Sequence, residues 1–310
     1  MEDHEITYFV RSFDQKHRMA VFYGAPKVHK KVVNEQYALR PVVSTSGTFN
    51  EIASRYVDYY LQKLTAKIPT HLFDSFELLS DLSKINLDKA TNVRALTADA
   101  ISMFTKIEHE DGSRTLEAYF IEFKDELPDG FPSKMILQLL DIVMSNNVFS
   151  FGDTHWLQKE GIAMGTSVAV MFANIYCAYR ERTVILPKFR NNIVYYKRYV
   201  DDVFSLWRDT PDYTWEDLRA TLPQGILKWT VERPSTTVDF LDVTININKK
   251  TGKIVTKSYQ KPMNLHLYLP SASAHPPGSY KGLIIGTLQR YWLQNTKSTN
   301  YRELVTLFAY

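Results

Sequence analysis

Two adjacent acids set between two strand-forming runs constrain this chain more than any other feature: Tyr199-Val200-Asp201-Asp202-Val203-Phe204. Ile193-Val194-Tyr195-Tyr196 before them and Val203-Phe204-Ser205-Leu206-Trp207 after are rich in β-branched and aromatic residues, as strands are. A tight turn between the runs carries both carboxylates to a hairpin tip. Asp is also an ordinary turn residue, so the pair alone suits a solvated turn equally well. A third acid shifts that balance. Leu96-Thr97-Ala98-Asp99-Ala100-Ile101 reads as an apolar strand ending in an acid. If the two elements lie side by side, three carboxylates converge on one spot. Such acids repel one another unless a divalent cation neutralises them, and hard oxygen ligands of this kind select Mg²⁺ or Mn²⁺.

A chain of 310 residues exceeds the usual single-core size, so two or three subdomains are expected. At 45% hydrophobic and 13% aromatic it can bury a core, which excludes disorder as a whole. Cys177 is the only cysteine, so neither a disulfide framework nor a thiolate metal site is available, and a reducing compartment is expected. No apolar run approaches the ~20 residues of a membrane span, and the charged N-terminus does not read as a signal peptide. These features predict a soluble intracellular protein with no membrane partner. The net charge of +3 is small but unevenly spread: from Phe240 to Tyr310 nine basic residues face two acids, a net +7. That segment suits phosphate backbones, or an ordinary solvated face.

Periodicity gives a coarse map without repeats or low-complexity tracts. Residues 1–21 read as a polar lead-in. Asn50-Glu51-Ile52 opens a helix with Ile52, Tyr56, Tyr60 and Leu64 on one core-facing stripe. Asp111 and Ser113 are candidate caps of the next helix, Pro132 starts another, and Ser167 caps an apolar helix over Val168–Tyr176. Val238–Ile247 reads as one strand, turned by Lys249-Lys250-Thr251-Gly252 into a second at Lys253–Tyr259. The Pro/Ser/Ala-rich stretch Ser271–Ser279 reads as a link to a helix beginning near Gly282.

The acids belong to an ordered set of blocks. Tyr23-Gly24-Ala25-Pro26-Lys27-Val28-His29-Lys30 and Leu39-Arg40-Pro41-Val42-Val43-Ser44 precede Asp99, Glu160-Gly161-Ile162-Ala163-Met164-Gly165-Thr166-Ser167 falls between the acids, and Val238-Asp239-Phe240-Leu241-Asp242-Val243 follows. With Lys261-Pro262 and Ser273-Ala274-His275-Pro276, this order resembles Penelope-like retroelement reverse transcriptases, the group usually placed nearest telomerase. The resemblance runs from about Phe22 to the last residue. It implies an α+β right-hand polymerase: lead-in 1–21, fingers 22–92, palm 93–247 with a helical insertion at about 111–150, and a primer-grip, connection and partial thumb over 248–310.

The implied activity is RNA-directed DNA synthesis, extending a DNA primer with dNTPs on an RNA template with two Mg²⁺ ions, Mn²⁺ being an alternative. Asp99 and Asp201 then bridge the metals, Asp202 is the less direct second acid, and the Ala100 carbonyl is a further metal ligand. Lys27 and Arg40, stiffened by Pro26 and Pro41, hold the triphosphate. Phe104 closes the sugar pocket against a 2′-hydroxyl, and Gly161 and Gly165 let backbone approach the base pair. Lys30 and Lys31 follow the template, Phe240 and Leu241 belong to the primer grip, and Lys257 and Lys261 follow the duplex. Lys228 is a candidate general acid toward pyrophosphate. Glu160, where many relatives have Gln, and Val168, where Pro is frequent, depart from the family pattern. A nuclear location follows from the resemblance, and nothing like the GIY-YIG endonuclease of full elements occurs in the sequence. Two alternatives stay open: an RNA-dependent RNA polymerase, against which Phe104 and Val200 speak, and a domesticated nucleic-acid-binding relative without catalysis, against which the three retained acids speak.

Overall fold

In the computed structural model the described residues are 3–13, 17–27, 37–87, 92–261, 269–270 and 273–309. Along the chain come α1 (Asp3–Phe13), β1 (Ala20–Pro26), β2 (Leu39–Ser44), α2 (Phe49–Gln62), α3 (Ser75–Lys84), β3 (Val93–Ala100), α4 (Met103–Lys106), α5 (His109–Glu122) and α6 (Ser133–Ser145). There follow β4 (Val148–Phe151), β5 (Thr154–Leu157), α7 (Ala169–Arg180), α8 (Leu186–Lys188), β6 (Ile193–Tyr199), β7 (Asp202–Arg208) and α9 (Trp215–Thr221). The last elements are β8 (Trp229–Val231), β9 (Thr237–Phe240), β10 (Val243–Ile247), β11 (Ile254–Ser258), α10 (Pro277–Gln294) and α11 (Ser298–Ala309). They pack into two units, the first made of Met1–His71, Ala100–Lys188 and Thr221–Trp229, the second of Leu72–Asp99, Phe189–Ala220 and Thr230–Tyr310.

In the first unit, the stretch expected as a polar lead-in contains α1, which packs Phe9 against Ile52 and Tyr56 of α2. The local pattern hides this because a core position of α1 is an acid. Glu5 is 6% exposed and accepts hydrogen bonds from the hydroxyls of Tyr56 and, at 3.0 Å, Tyr60. Burial and that carboxylate push the Tyr56 hydroxyl well above the usual tyrosine range. The Ile52, Tyr56 and Tyr60 stripe read from the sequence is therefore the surface that receives α1, together with Met135 and Leu139 of α6.

Beside the helices lies a sheet of order β2-β1-β4-β5, with β1 antiparallel to β2 and parallel to β4. Three expected caps move. Thr48 takes the position before α2. α5 starts before Asp111, whose carboxylate instead accepts from Tyr176 at 2.5 Å. Val168, not Ser167, precedes α7, and its N–H donates to the Ser54 hydroxyl at 3.1 Å. α7 is mostly apolar, as a helix buried over most of its surface is, and continues through a π-helical turn at Glu181–Ile185 into α8.

The second unit contains a sheet of order β6-β7-β3-β8 and a three-stranded sheet β11-β10-β9. β7 is central, and Val203 through Trp207 are buried on both its faces, which explains why that run lacks an apolar-polar alternation. Its core joins Leu78 and Leu82 of α3, Val93 and Ala95, Phe204 and Leu206, and the buried side of β9 and β10. Residues 72–87 thus pack with the acid-bearing strands. The expected single strand Val238–Ile247 divides at Leu241-Asp242, where a two-residue turn joins β9 to β10 through the Phe240–Val243 pair. α10 begins at Pro277 rather than near Gly282. Its C-terminal end is tied to β11 by Thr256 with Thr296 at 2.9 Å and Ser258 with Gln294 at 2.7 Å.

Phe204 is fully buried, with its ring 5.5 Å from that of Phe240. Phe204→Ala is expected to destabilise the fold by about 3–5 kcal/mol, the usual loss for a fully buried ring. Urea unfolding followed by circular dichroism reads this as a fall in midpoint, and a loss under about 1 kcal/mol would remove Phe204 from the core.

Candidate active site

Strand register alone gathers the three acids. The β6–β7 ladder ends at the Tyr199–Asp202 pair, so Val200-Asp201 is a two-residue turn and the expected hairpin forms. The antiparallel β3–β7 ladder runs from Val93 opposite Arg208 to Asp99 opposite Asp202. Directly opposed residues project to the same face with their Cα atoms about 4.5–5.5 Å apart, where like charges destabilise. Asp99 is exposed, while Asp201 and Asp202 are half-buried.

Electrostatics report this crowding. Burial first, then Asp201 and then Asp99, push the Asp202 carboxyl up to about 6, while the Lys261 ammonium pulls it down. Asp202 and Leu241 form a wall common to two cavities. One, of about 500 Å³, is also lined by Asp74, Tyr199, Asp242 and Lys261. The other, of about 140 Å³, includes Asp99, Thr230, Glu232 and Asp239. An all-oxygen donor set under mutual repulsion fits a hard divalent cation, whose charge would relieve the repulsion that adds to burial in raising the Asp202 carboxyl. Among the described residues no three acidic, histidine or cysteine side chains stand close enough together to form a finished metal cage. The donors fit chemically, and an ion would have to draw them in.

Backbone strain concentrates on these turns. The non-glycine residues of positive φ among those described are Ser102 at 54°, Val200 at 53° and Leu241 at 53°. Each left-handed residue costs about 1–2 kcal/mol, and a β-branched valine is a genuine outlier there. Val200 precedes Asp201, Leu241 precedes Asp242, and Ser102 follows Asp99 by three residues. Such strain persists only where surrounding contacts over-determine it.

The other expected site residues divide by unit. In the first, Lys27 follows β1 and its N–H donates to the Ala38 carbonyl at 2.8 Å, while Arg40 on β2 pairs with Ala25 and is exposed. The two basic residues thus lie at the same end of one hairpin. The glycine loop reaches two places. The Phe104 carbonyl accepts from the Ile162 N–H at 2.5 Å, and Met164 and Gly165 carbonyls accept from Val43 and Thr45. A Cβ on Gly161 would meet the Phe104 carbonyl oxygen at 2.7 Å, and one on Gly165 the Val43 carbonyl oxygen at 2.5 Å. These glycines are therefore required by close approach of the chain's own backbone, a reason different from the base-pair contact expected. Ala100 is buried, Phe104 half-buried, and Lys30 and Lys31 lie outside the described residues.

In the second unit Phe240 is 4% exposed and packs its ring on Phe204. Leu241 is half-buried at the strained turn. Lys257 is exposed on β11, paired with Thr244. Lys261, expected only along a duplex, stands beside Asp202 in the larger cavity. Sequence reasoning missed Asp74 and Asp242 in that cavity and, behind the turn, the fully buried Arg198. Parity held a clue to the last, since Arg198 shares a strand face with the buried Tyr196.

Solved structures share this arrangement of elements. Telomerase from Candida tropicalis in complex with a TWJ fragment of telomeric RNA superposes with a TM-score of 0.53 at 11% identity, over 92% of this chain and 52% of that one. Telomerase from Candida albicans with a TWJ fragment gives 0.50 at 14% identity, over 80% and 48%. The Candida tropicalis apo enzyme truncated from its C-terminal domain gives 0.52 at 11% identity, over 81% and 58%. The chain spans about half the length of the telomerase chains it matches. At such identities the likeness establishes the fold, an α+β polymerase fold of the telomerase reverse transcriptase type. No family model and no curated protein matches the sequence.

A folded carboxyl near 6 against an ordinary 3.8 binds more protons than the unfolded one between those values, so the group subtracts stability as pH rises from about 4 to 6 and above. In metal-free buffer Asp202→Asn is expected to melt above the wild type at about pH 7.5 and to lose that advantage near pH 4. A melting difference that does not change with pH would mean that Asp202 is not under this repulsion.

Proposed function

We propose that this chain is a reverse transcriptase of the Penelope-like type, an RNA-directed DNA polymerase that extends a DNA primer with dNTPs on an RNA template. The observation that carries the reading is the opposition of Asp99 and Asp202 with Asp201 in the adjoining turn, on a telomerase-type polymerase fold. A scaffold without catalysis has no physical need to oppose like charges in this way. Two of the solved structures named above are complexes with a fragment of telomeric RNA, which supports an RNA template as partner. The ordered motifs add the retroelement character and a nuclear site of action.

Asp99 and Asp201, with the Ala100 carbonyl, would hold two Mg²⁺ ions, or Mn²⁺ in their place, whose charge would favour the attacking 3′-oxygen and the leaving pyrophosphate. The residues of the chain do the rest of the work by position and charge. Asp202, its carboxyl raised by burial and then by its acidic neighbours, acts on the electrostatics of the pair rather than as a bridging ligand. Arg40 offers a planar fork and Lys27 a point charge to the triphosphate. Phe104, its carbonyl fixed by Ile162, presents a ring to the sugar and excludes a 2′-hydroxyl. Leu241 orients the primer-grip turn, Gly161 and Gly165 fix the loop that carries Ile162, and exposed Lys257 follows the duplex phosphates.

Asp201→Asn keeps shape but removes charge, so primer extension should fall by several orders of magnitude while template-primer binding in a gel-shift assay stays unchanged. Extension near the wild-type rate would end the assignment. Phe104→Ala should raise ribonucleotide incorporation relative to deoxynucleotide by about 10-fold or more, measured by competing substrates in single-turnover extension. An unchanged ratio would leave Phe104 as packing only.

A further inference from the structure

We infer that Arg198 is a positioning residue that holds the carboxylate turn in its strained shape. Arg198 is fully buried at the end of β6. Its Nη1 donates to the Val200 carbonyl at 2.8 Å. Val200 lies beyond the Tyr199–Asp202 pair that closes the ladder, so its half-buried carbonyl falls outside the ladder pairing and is met by a side-chain donor instead. The guanidinium supplies one from beneath. The backbone of Arg198 is held as well: its carbonyl accepts from the Leu72 N–H at 2.9 Å, and it pairs with Val203 in the ladder.

These restraints bear on the residue that is hardest to keep. Val200 sits at a φ of 53°, where a β-branched side chain is disfavoured. Relaxation of that residue to the ordinary β region would reshape the turn and swing Asp201 away from the ladder-paired Asp99 and Asp202. Burying an arginine is costly unless its donors are engaged, and its planar fork reaches the Val200 carbonyl while keeping further donors for other partners. Arg198 thus acts on chemistry through Val200, without touching substrate.

The catalytic part of the test rests on the polymerase reading above, and the exchange part does not. Arg198→Met, checked for folding by circular dichroism, should lose roughly 100-fold in single-turnover extension, the scale expected of a small misplacement, with template-primer affinity unchanged. Glycine adopts positive φ freely. Val200→Gly in the Arg198→Met background should therefore restore about 10-fold or more, while Val200→Gly alone stays within about 3-fold of wild type. Amide hydrogen exchange over residues 199–203 should quicken in Arg198→Met and return toward wild type in the double variant. If the methionine variant does not fold, Arg198→Lys, which keeps charge and loses the fork, carries the same comparison. A folded variant with wild-type extension and protection, or a double variant no better than the single, overturns the inference. If wild-type protein extends no primer, the polymerase reading fails and exchange alone decides the role of Arg198.

Discussion

Antiparallel pairing of β3 with β7 is the constraint on which the candidate site depends. Once Val93 stands opposite Arg208, each later pair is determined, and the acid at the end of one strand must meet the acid at the start of the other. A shift by one residue would send Asp99 to the other face and also turn Ala95 and Leu206 out of the core. The packing that stabilises the unit and the convergence of charge are therefore one event. The hydrophobic interior holds the register, and the register imposes repulsion at its open end.

That repulsion is tolerated alongside other unfavourable features placed close by in sequence. Val200 and Leu241 adopt a left-handed backbone in two-residue turns, and each is followed by an acid. Asp202 is partly buried beside two like charges. Arg198 places a guanidinium in the interior beneath the turn. A chain under selection for stability alone would remove all four, since glycine, asparagine or an apolar residue would serve better at each. Such features persist where surrounding contacts over-determine them, and here they gather around the carboxylates at the end of the sheet.

The first unit presents a different solution. Its glycine loop is threaded against Phe104 on one side and the backbone of β2 on the other, so close that a methyl group at either glycine would collide. Phe104 is fixed through its carbonyl, which accepts from the Ile162 N–H. Lys27 and Arg40 lie at one end of the β1–β2 hairpin for the same kind of reason, because the Pro26–Leu39 pair closes that end of the ladder beside them.

Much of this was legible in the residues. The β-branched runs around Asp201-Asp202, the apolar run ending at Asp99, the α2 stripe and the apolar α7 carry periodicities that only a few local structures satisfy, and those structures formed. Other features depended on partners distant in sequence. α1 was read as a lead-in because Glu5 breaks its apolar face, and only the hydroxyls of Tyr56 and Tyr60 make that acid a core residue. The strand over Val238–Ile247 was divided by a turn that Leu241, a residue with no turn preference, was obliged to enter. Lys261 read as one basic residue among nine, and tertiary packing set it beside Asp202. Sequence by itself determined that the runs around Asp99 and Asp201-Asp202 are strands, where their hairpin turns and which acids are available, because local sterics and side-chain periodicity act over a few residues. Only the tertiary structure decided that Asp99 stands opposite Asp202, because alternation states which face a residue takes and not which strand, a hundred residues away, lies beside it.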